Sequence, residues 1–197
     1  MRENRCCAVI AADLREEGDC LAMVERAVEV LGGLDVLVLN AGYQKNRNGL
    51  ESLSTAEMDR VFKTNLYGSL WVARTAVPHL KPGASIIITS SIQASSPTPD
   101  LLDYAMTKAA LVAFTQALAL ELTPRGIRVN AVAPGPIWTP LIPGTQWDQK
   151  LETFGQSTPL GRAGQPAEVA SAYVFLASAE ASYVSGAVVP VTGGRLF

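Results

Sequence analysis

The sequence is poor in the residues that most often build metal sites and disulfides. It has a single histidine, His79, and three cysteines, Cys6, Cys7 and Cys20, among 197 residues. Because the cysteines are odd in number, lie near one end and have no histidine nearby, neither a disulfide framework nor a zinc site is expected. We expect three reduced, buried thiols.

Long apolar runs and blocks of like charge are also missing. No apolar run approaches the length that spans a membrane, and the first fifteen residues do not have the pattern of a signal peptide. The net charge is −2, with both signs mixed along the chain. These features argue against nucleic acid or a membrane as partner and favour a small neutral or mildly polar ligand. We expect a cytoplasmic protein.

What the sequence does contain is a regular alternation of short apolar runs with longer segments of helical periodicity. At 48% hydrophobic residues, the chain can bury the core of one domain, residues 1–197. The alternation predicts an α/β fold, a Rossmann-like doubly wound parallel sheet covered by helices. The predicted strands are Cys7–Ala12, Asp35–Leu39, Ala84–Thr89, Ile127–Ala133 and Ala187–Val191. Pro190 makes the last of them an edge strand.

Four helices and one loop complete the prediction. The first helix lies between the first two strands and ends at Gly32-Gly33. Ser54 and Glu57 form a capping box at the start of the second, which runs to about Pro78. The third covers about Leu102 to Thr123, and the last begins at Pro166. The segment PGPIWTPLIPGTQWDQ, after the fourth strand, has the turn chemistry of a loop or lid.

Tyr104 and Lys108 are the first candidates for chemistry. Residues four positions apart share one face of a helix, so the phenol and the ammonium can lie side by side. A nearby cation lowers the pKa of a phenol, which could then act as a general acid or base. The same pair also occurs by chance on many helices, so it is weak by itself.

Three predicted strands end in residues that suit a ligand site. Ser90 and Ser91 follow Ala84–Thr89, Asn40-Ala41-Gly42 follows Asp35–Leu39, and Pro134-Gly135 follows Ile127–Ala133. Ligands of open parallel sheets bind at the carboxyl ends of the strands. A serine there can hold a substrate oxygen, although Ser90 and Ser91 could equally cap a turn.

Taken together, these motifs resemble the short-chain dehydrogenase/reductase family. The resemblance rests on six motifs in the family's order, from about Cys7 to the C-terminus: N-A-G at Asn40–Gly42, N-L-Y-G from Asn65, Ser91 thirteen positions before Tyr104, Y-A-M-T-K at Tyr104–Lys108, R-V-N-A-V-A-P-G at Arg128–Gly135 and T-G-G at Thr192–Gly194. The later segments look most like a bacterial branch that contains general-stress and glucose-dehydrogenase-like members.

The resemblance implies an NAD- or NADP-dependent oxidoreductase that acts on a secondary alcohol or ketone. Tyr104 would be the acid/base, and Lys108 would lower its pKa and hold the nicotinamide ribose. Ser91 would orient the substrate oxygen. Asn65, an unfavourable residue inside a helix, would support a proton-conducting water chain together with a locally opened backbone.

The resemblance also implies cofactor contacts and self-association. Asp13 and Leu14 would contact the adenine, and Asn40, Ala41 and Gly42 would pack along the ribose and adenine side. Pro134, Gly135, Ile137 and Thr139 would line the nicotinamide. Family members usually pair through the second and third helices, which implies a homodimer or homotetramer; the outer faces of these helices carry Leu70, Trp71, Ala113 and Ala117.

One feature of the family is not found in the sequence. A glycine-rich turn after a first strand normally brings backbone N–H groups to the cofactor pyrophosphate, and the early glycines Gly18, Gly32 and Gly33 do not form one. We expect the first two strand–helix units to be missing. The chain could be incomplete, another chain could supply the two strands, or Cys7–Ala12 could pair directly with Asp35–Leu39.

Two other functions stay open from the sequence. Without the phosphate-binding turn, the protein could be a catalytically inactive, truncated relative that acts only as an oligomer partner or fragment. A serine hydrolase based on Ser91 is a weaker alternative, because the sequence has no G-x-S-x-G motif around that serine and His79 is distant from it.

Overall fold

The computed structural model describes residues 7–145 and 151–197. Within them, four parallel strands form one sheet in the order β1-β2-β3-β4. The strands are β1 Leu34–Leu39, β2 Leu80–Thr89, β3 Arg128–Pro134 and β4 Val188–Val191. The helices are α1 Glu17–Leu31, α2 Thr55–Phe62, α3 Gly68–Ala76, α4 Leu102–Leu122, α5 Leu141–Thr145 and α6 Pro166–Ala177. The parallel sheet with flanking helices confirms the predicted Rossmann-like α/β class.

The first predicted strand is wrong. Residues Cys7–Ala12 have no strand conformation, Val9 is 95% exposed, and Cys7 is exposed rather than buried. The direct pairing with Asp35–Leu39 that the sequence left open is therefore not formed. An apolar run becomes a strand only where a neighbouring strand accepts its hydrogen bonds, and no described strand lies beside this one.

The remaining strands lie where the sequence predicted them, within a few residues. Strand β1 lies at an edge of the sheet and leaves apolar side chains exposed, since Val36 is 40% and Val38 45% exposed. At the other edge, β4 carries Pro190 and pairs only with β3. Of the predicted lid, residues 146–149 lie outside the described residues, and α5 is a short helix in the five residues before them.

The core lies on both faces of the sheet and is built around β2. Ile86 and Ile88 are fully buried in a cluster that includes residues of α1, α3 and α4. Ile87 points to the opposite face, where it packs with Val132 of β3 and Leu176 of α6. The continuous apolar run Ile86–Ile88, buried on both faces, is the pattern of a strand that is covered on both sides.

The second predicted helix is interrupted at the position of Asn65. It begins after Ser54, whose side chain accepts a hydrogen bond from the Glu57 N–H at 3.3 Å, and it opens into a π-helix over Lys63–Tyr67 before α3 continues it. Insertions of this kind inside α-helices are frequent at functional sites. The locally opened backbone that the resemblance implied is thus present.

Helix α4 brings the Tyr104–Lys108 pair to the sheet. It belongs to the stretch Pro99–Arg125, which among the described helices is the one long and apolar enough to cross a membrane. Leu111, Leu118 and Leu122 of α4 are buried in the main core cluster. In this structure α4 is therefore a core helix, and its first turns lie close to the end of β2.

Two glycine substitutions test the backbone of this fold. Gly126 ends the turn after α4 with a φ of 74°, and a Cβ there would lie 3.1 Å from Pro82 Cβ. Gly126→Ala should lower the free energy of unfolding by about 1–2 kcal/mol, because an alanine is strained at positive φ. Gly18→Ala, in the open first turn of α1, should be neutral or stabilising by up to about 1 kcal/mol. Urea denaturation measures both, and equal effects of the two changes would contradict this assignment of backbone strain.

Candidate active site

The carboxyl ends of β1, β2 and β3 open into a cavity of about 1040 Å³. Ten of the residues that the sequence singled out line it: Asn40, Ala41, Gly42, Ser91, Tyr104, Lys108, Pro134, Gly135, Ile137 and Thr139. The segments after the three strands and the first turns of α4 bring them to one edge of the sheet. This is the edge at which open parallel sheets bind their ligands.

Lys108 is buried in the wall of this cavity. The residue is only 2% exposed, and its Nζ donates a hydrogen bond to the Thr89 carbonyl oxygen at 2.7 Å. No other hydrogen bond of this ammonium is formed with the described residues. Burial lowers the pKa of Lys108 to about 8, since a charged ammonium is less stable away from water.

Tyr104 lies beside this ammonium, with Lys108 Nζ 5.4 Å from the centre of its ring. Burial raises the pKa of Tyr104 to about 12; the neighbouring Ser91 hydroxyl lowers it, and Tyr173 raises it further. This is opposite to the lowering that was expected from Lys108. The reason is that the phenol is buried, and removal from water raises its pKa by more than the Ser91 hydroxyl lowers it. At neutral pH, the Tyr104 phenol therefore carries its proton.

Asn65 lies behind the cavity wall and connects three parts of the chain. Its Oδ1 accepts a hydrogen bond from the Tyr43 N–H at 2.7 Å, and its Nδ2 donates to the Tyr43 carbonyl at 2.9 Å and to Thr107 Oγ1 at 3.1 Å. A Cβ on Gly42 would be 3.6 Å from both Asn65 Oδ1 and Lys108 Nζ. The side chain is fully buried and holds the segment after β1 against α4.

Asp13 and Leu14 are not brought into the cavity. The Asp13 carboxylate accepts hydrogen bonds from the side chain and backbone of Arg15, and these hold its pKa at about 2. Leu14 packs against the main core, next to Gly68. That these two residues contact an adenine stays a prediction.

The hydrolase alternative gains nothing from the position of the histidine. His79 Nε2 lies 3.3 Å from Glu25 Oε1, and neither residue lines the cavity that contains Ser91. A histidine base is therefore not close to this serine.

The sequence did not identify a second tyrosine in the site. Tyr173 lies on the last helix, α6, where it lines the cavity, and its hydroxyl lies 2.6 Å from Thr89 Oγ1. Thr89 in turn donates to Asn40 Oδ1 at 2.9 Å. Since the Thr89 proton is used on Asn40, Tyr173 must donate to Thr89. Helical spacing alone cannot distinguish such a tyrosine from an ordinary core residue.

A buried ion pair holds the start of α4. Arg47 Nη2 lies 3.1 Å from Asp103 Oδ2, and both side chains are almost fully buried. Asp103 Oδ1 also accepts a hydrogen bond from the Tyr104 N–H at 2.9 Å. The ion pair therefore fixes the helix turn that carries Tyr104. In the sequence, the position of Asp103 next to Tyr104 is the one sign of this ion pair.

Comparison with known proteins places this fold in a class. A profile of the family described as enoyl-(acyl carrier protein) reductase matches residues 1–195. General stress protein 39 of Bacillus subtilis is 48% identical over 189 residues, which are 96% of this chain and 66% of that protein. The chain thus spans slightly less than two thirds of the length of this relative.

Solved structures agree with this class. A short-chain dehydrogenase/reductase of Brucella melitensis, titled glucose/ribitol dehydrogenase, superposes with a TM-score of 0.88 at 37% identity over 96% of this chain and 76% of the other. A 3-ketoacyl-(acyl-carrier-protein) reductase of the same organism, solved with NADH, gives 0.85 at 36% identity over 94% and 77%. The class is that of Rossmann-like oxidoreductases. Within it, the chain belongs to the short-chain dehydrogenase/reductase family, which confirms the resemblance seen in the sequence.

The burial of Lys108 predicts an unusual dependence of stability on pH. Its pKa is about 8 in the folded chain and near 10.5 in the unfolded chain, so the unfolded chain binds more protons between these values. The free energy of unfolding should therefore rise with pH across this window, by a few kcal/mol. Lys108→Met should lose this rise, and the exposed Lys81→Met should keep it. Denaturation at pH 7 to 10.5 measures the three slopes, and a parallel course of wild type and Lys108→Met would contradict the low pKa.

Proposed function

We propose that this protein is an NAD- or NADP-dependent oxidoreductase that interconverts a secondary alcohol and a ketone, with Tyr104 as acid/base. The observation that carries the proposal is the convergence of Ser91, Tyr104 and Lys108 on one cavity wall at the carboxyl edge of the sheet. A structure of a relative that was solved with NADH supports a nicotinamide cofactor.

The residues in the cavity fit such a cofactor. The Lys108 ammonium uses one of its three protons on Thr89, so two protons remain for ribose hydroxyl groups. Gly42 lies against Lys108 with no side chain between its backbone and the cavity, and Gly135 is so close to Thr192 that a Cβ would lie 2.8 Å from its Cα. Asn40 and Thr139 add polar groups to the same wall. A bound nicotinamide would supply hydride exchange with the reacting carbon.

The side chains then account for the proton. Oxidation of an alcohol releases the carbinol hydrogen as a hydride and the hydroxyl hydrogen as a proton, and reduction requires both in return. In the direction of reduction, protonated Tyr104 donates its phenolic proton to the substrate oxygen, while Ser91 holds that oxygen in place. Positively charged Lys108 stabilises the phenolate that remains. During this transfer, Asn65 keeps helix α4 at a fixed distance from the segment that follows β1.

A homo-oligomer belongs to the same proposal. Met106 and Leu120 of α4 are 48% and 81% exposed, and Tyr67, beside the start of α3, is 45% exposed. These apolar side chains lie on the helices through which the resemblance implies pairing. They would also serve the second candidate, a non-catalytic oligomer partner. Sedimentation gives the mass of the assembly, and cofactor titration separates the two functions, since only the enzyme must bind NADH or NADPH.

Tyr104→Phe tests the proposed role most simply. The change removes one hydroxyl from a buried ring, so the fold and cofactor binding should be kept while turnover of ketones with NADH or NADPH falls by about 10²–10⁴-fold. Tyr183→Phe, at a fully exposed tyrosine, is the matched control and should retain full turnover. Cofactor fluorescence titration checks binding in each protein. Unchanged turnover in Tyr104→Phe would contradict the assignment.

A further inference from the structure

Both backbone polar groups of Tyr104 are bound by side chains of its own helix, α4. Its N–H donates to Asp103 Oδ1 at 2.9 Å, and its carbonyl oxygen accepts a hydrogen bond from the Thr107 hydroxyl at 2.7 Å. Each of these two side chains is tied in turn to a residue outside α4. Thr107 accepts a hydrogen bond from Asn65 Nδ2, and Asp103 accepts one from Arg47. Tyr104 therefore has two anchors, one on each side of it along the helix.

Arg47 contacts the start of α4 at two points. Its backbone N–H donates to the Asp100 carbonyl oxygen at 2.8 Å, just before the helix, and its Nη2 donates to Asp103 Oδ2 at 3.1 Å, in the first turn. The same Nη2 lies 3.2 Å from Glu57 Oε2, in the first turn of α2. One side chain thus joins the beginnings of two helices.

The ion pair of Arg47 and Asp103 has a cost for the fold. Asp103 is fully buried and the Arg47 side chain is 6% exposed, so both charges are removed from water. Arg47 Nε is also buried and finds no hydrogen-bond partner in the described part of the chain. Apolar side chains of similar volume are often at least as stabilising as a buried ion pair, because the pair loses its hydration. Stability alone therefore does not explain why these charges lie next to the backbone of Tyr104.

The three charged residues of this cluster lie behind the cavity wall. Arg47, Asp103 and Glu57 are not among the residues that line the cavity, so they have no direct contact with a ligand in it. They can act on the reaction through the first turn of α4, since a shift of that turn moves the Tyr104 phenol relative to Ser91. A displacement of about 1 Å at a reacting group can lower a rate about 100-fold.

We infer that Arg47 is a positioning residue for proton transfer by Tyr104, and that it acts through Asp103. This inference rests on the proposed function, in which Tyr104 is the acid/base. Asp103 transmits the position of Arg47 to the Tyr104 N–H, because each of its two carboxylate oxygens binds one of these groups. Without the guanidinium, a buried carboxylate is left unpaired and turns towards water, and the Tyr104 N–H loses its acceptor.

Arg47→Gln tests the inference by kinetics with NADH or NADPH and a panel of ketones. The kcat should fall about tenfold or more, because the phenol is misplaced. The KM for the ketone and the Kd for the cofactor should change less than about threefold, since no ligand contact is removed. Arg47→Lys keeps the cation and should retain a kcat at least about three times that of Arg47→Gln. An unchanged kcat in Arg47→Gln, or a loss that appears in KM alone, would overturn the inference.

Asp103→Asn cuts the same link at its other end. An amide has one oxygen and one NH₂, so it can accept from the Tyr104 N–H or from Arg47 but not from both. This variant should show the same loss of kcat at nearly constant KM, and a normal kcat would contradict the role of Asp103.

Leu118→Ala is the matched control on the same helix. Leu118 is buried in the main core cluster, about 21 Å beyond Tyr104 along α4. The change loosens the packing of α4 far from the phenol and should leave kcat unchanged. An equal loss of kcat here would show that any weakening of α4 is sufficient, and the specific role of Arg47 would be overturned.

Amide hydrogen exchange separates this inference from the proposed function. The exchange of the Tyr104 N–H, followed by mass spectrometry with fragmentation, should be about tenfold faster or more in Arg47→Gln, and less than about threefold faster in Leu118→Ala. If the wild-type protein turns over no ketone but this pattern is found, the proposed function fails and the anchoring of Tyr104 by Arg47 stands. If the protein is active and Arg47→Gln exchanges at the wild-type rate, the inference fails alone.

Discussion

The hydrogen bonds of Asn65 are the interaction on which the rest of the site depends. One buried amide joins the segment after β1, through both polar groups of the Tyr43 backbone, to α4, through the Thr107 hydroxyl. The π-helix at Lys63–Tyr67 is the local deformation of the helix where this amide lies. An asparagine inside a helix lowers the stability of the helix. Here its three buried side-chain hydrogen bonds to two other parts of the chain offset that cost.

A second constraint is that the two groups proposed for proton transfer, Tyr104 and Lys108, are buried. Burial raises the pKa of Tyr104 and lowers that of Lys108. The phenol therefore keeps its proton, and a charged Lys108 lowers the free energy of unfolding of the folded chain. Sites of this kind gain function from groups that destabilise the fold. The well-packed strand β2, with Ile86, Ile87 and Ile88 fully buried, supplies the rigid support for that burial.

Much of this architecture could be predicted from the sequence because it follows from local spacing. Residues four apart share a helix face, which places Tyr104 beside Lys108, and the carboxyl ends of parallel strands meet at one edge, which brings Asn40, Ser91 and Pro134 together. Four of five strands were found in this way. The fifth, Cys7–Ala12, failed because the formation of a strand depends on a partner that no local pattern specifies.

The features that the sequence missed depend on three-dimensional surroundings. The direction of the Tyr104 pKa shift is decided by burial, which spacing does not report. Tyr173 has the periodicity of a core residue, and only the position of α6 brings its hydroxyl to Thr89.

The central claim is that the cavity at the carboxyl edge of the sheet positions a substrate carbon for hydride transfer while Tyr104 handles the proton. Transfer of deuterium tests it most directly. The protein is incubated with a panel of ketones and with NADH or NADPH that carries deuterium at the transferable position of the nicotinamide, and the products are analysed by NMR. The account predicts one deuterium on the newly formed carbinol carbon. A product without deuterium, or no product with either cofactor, would contradict it.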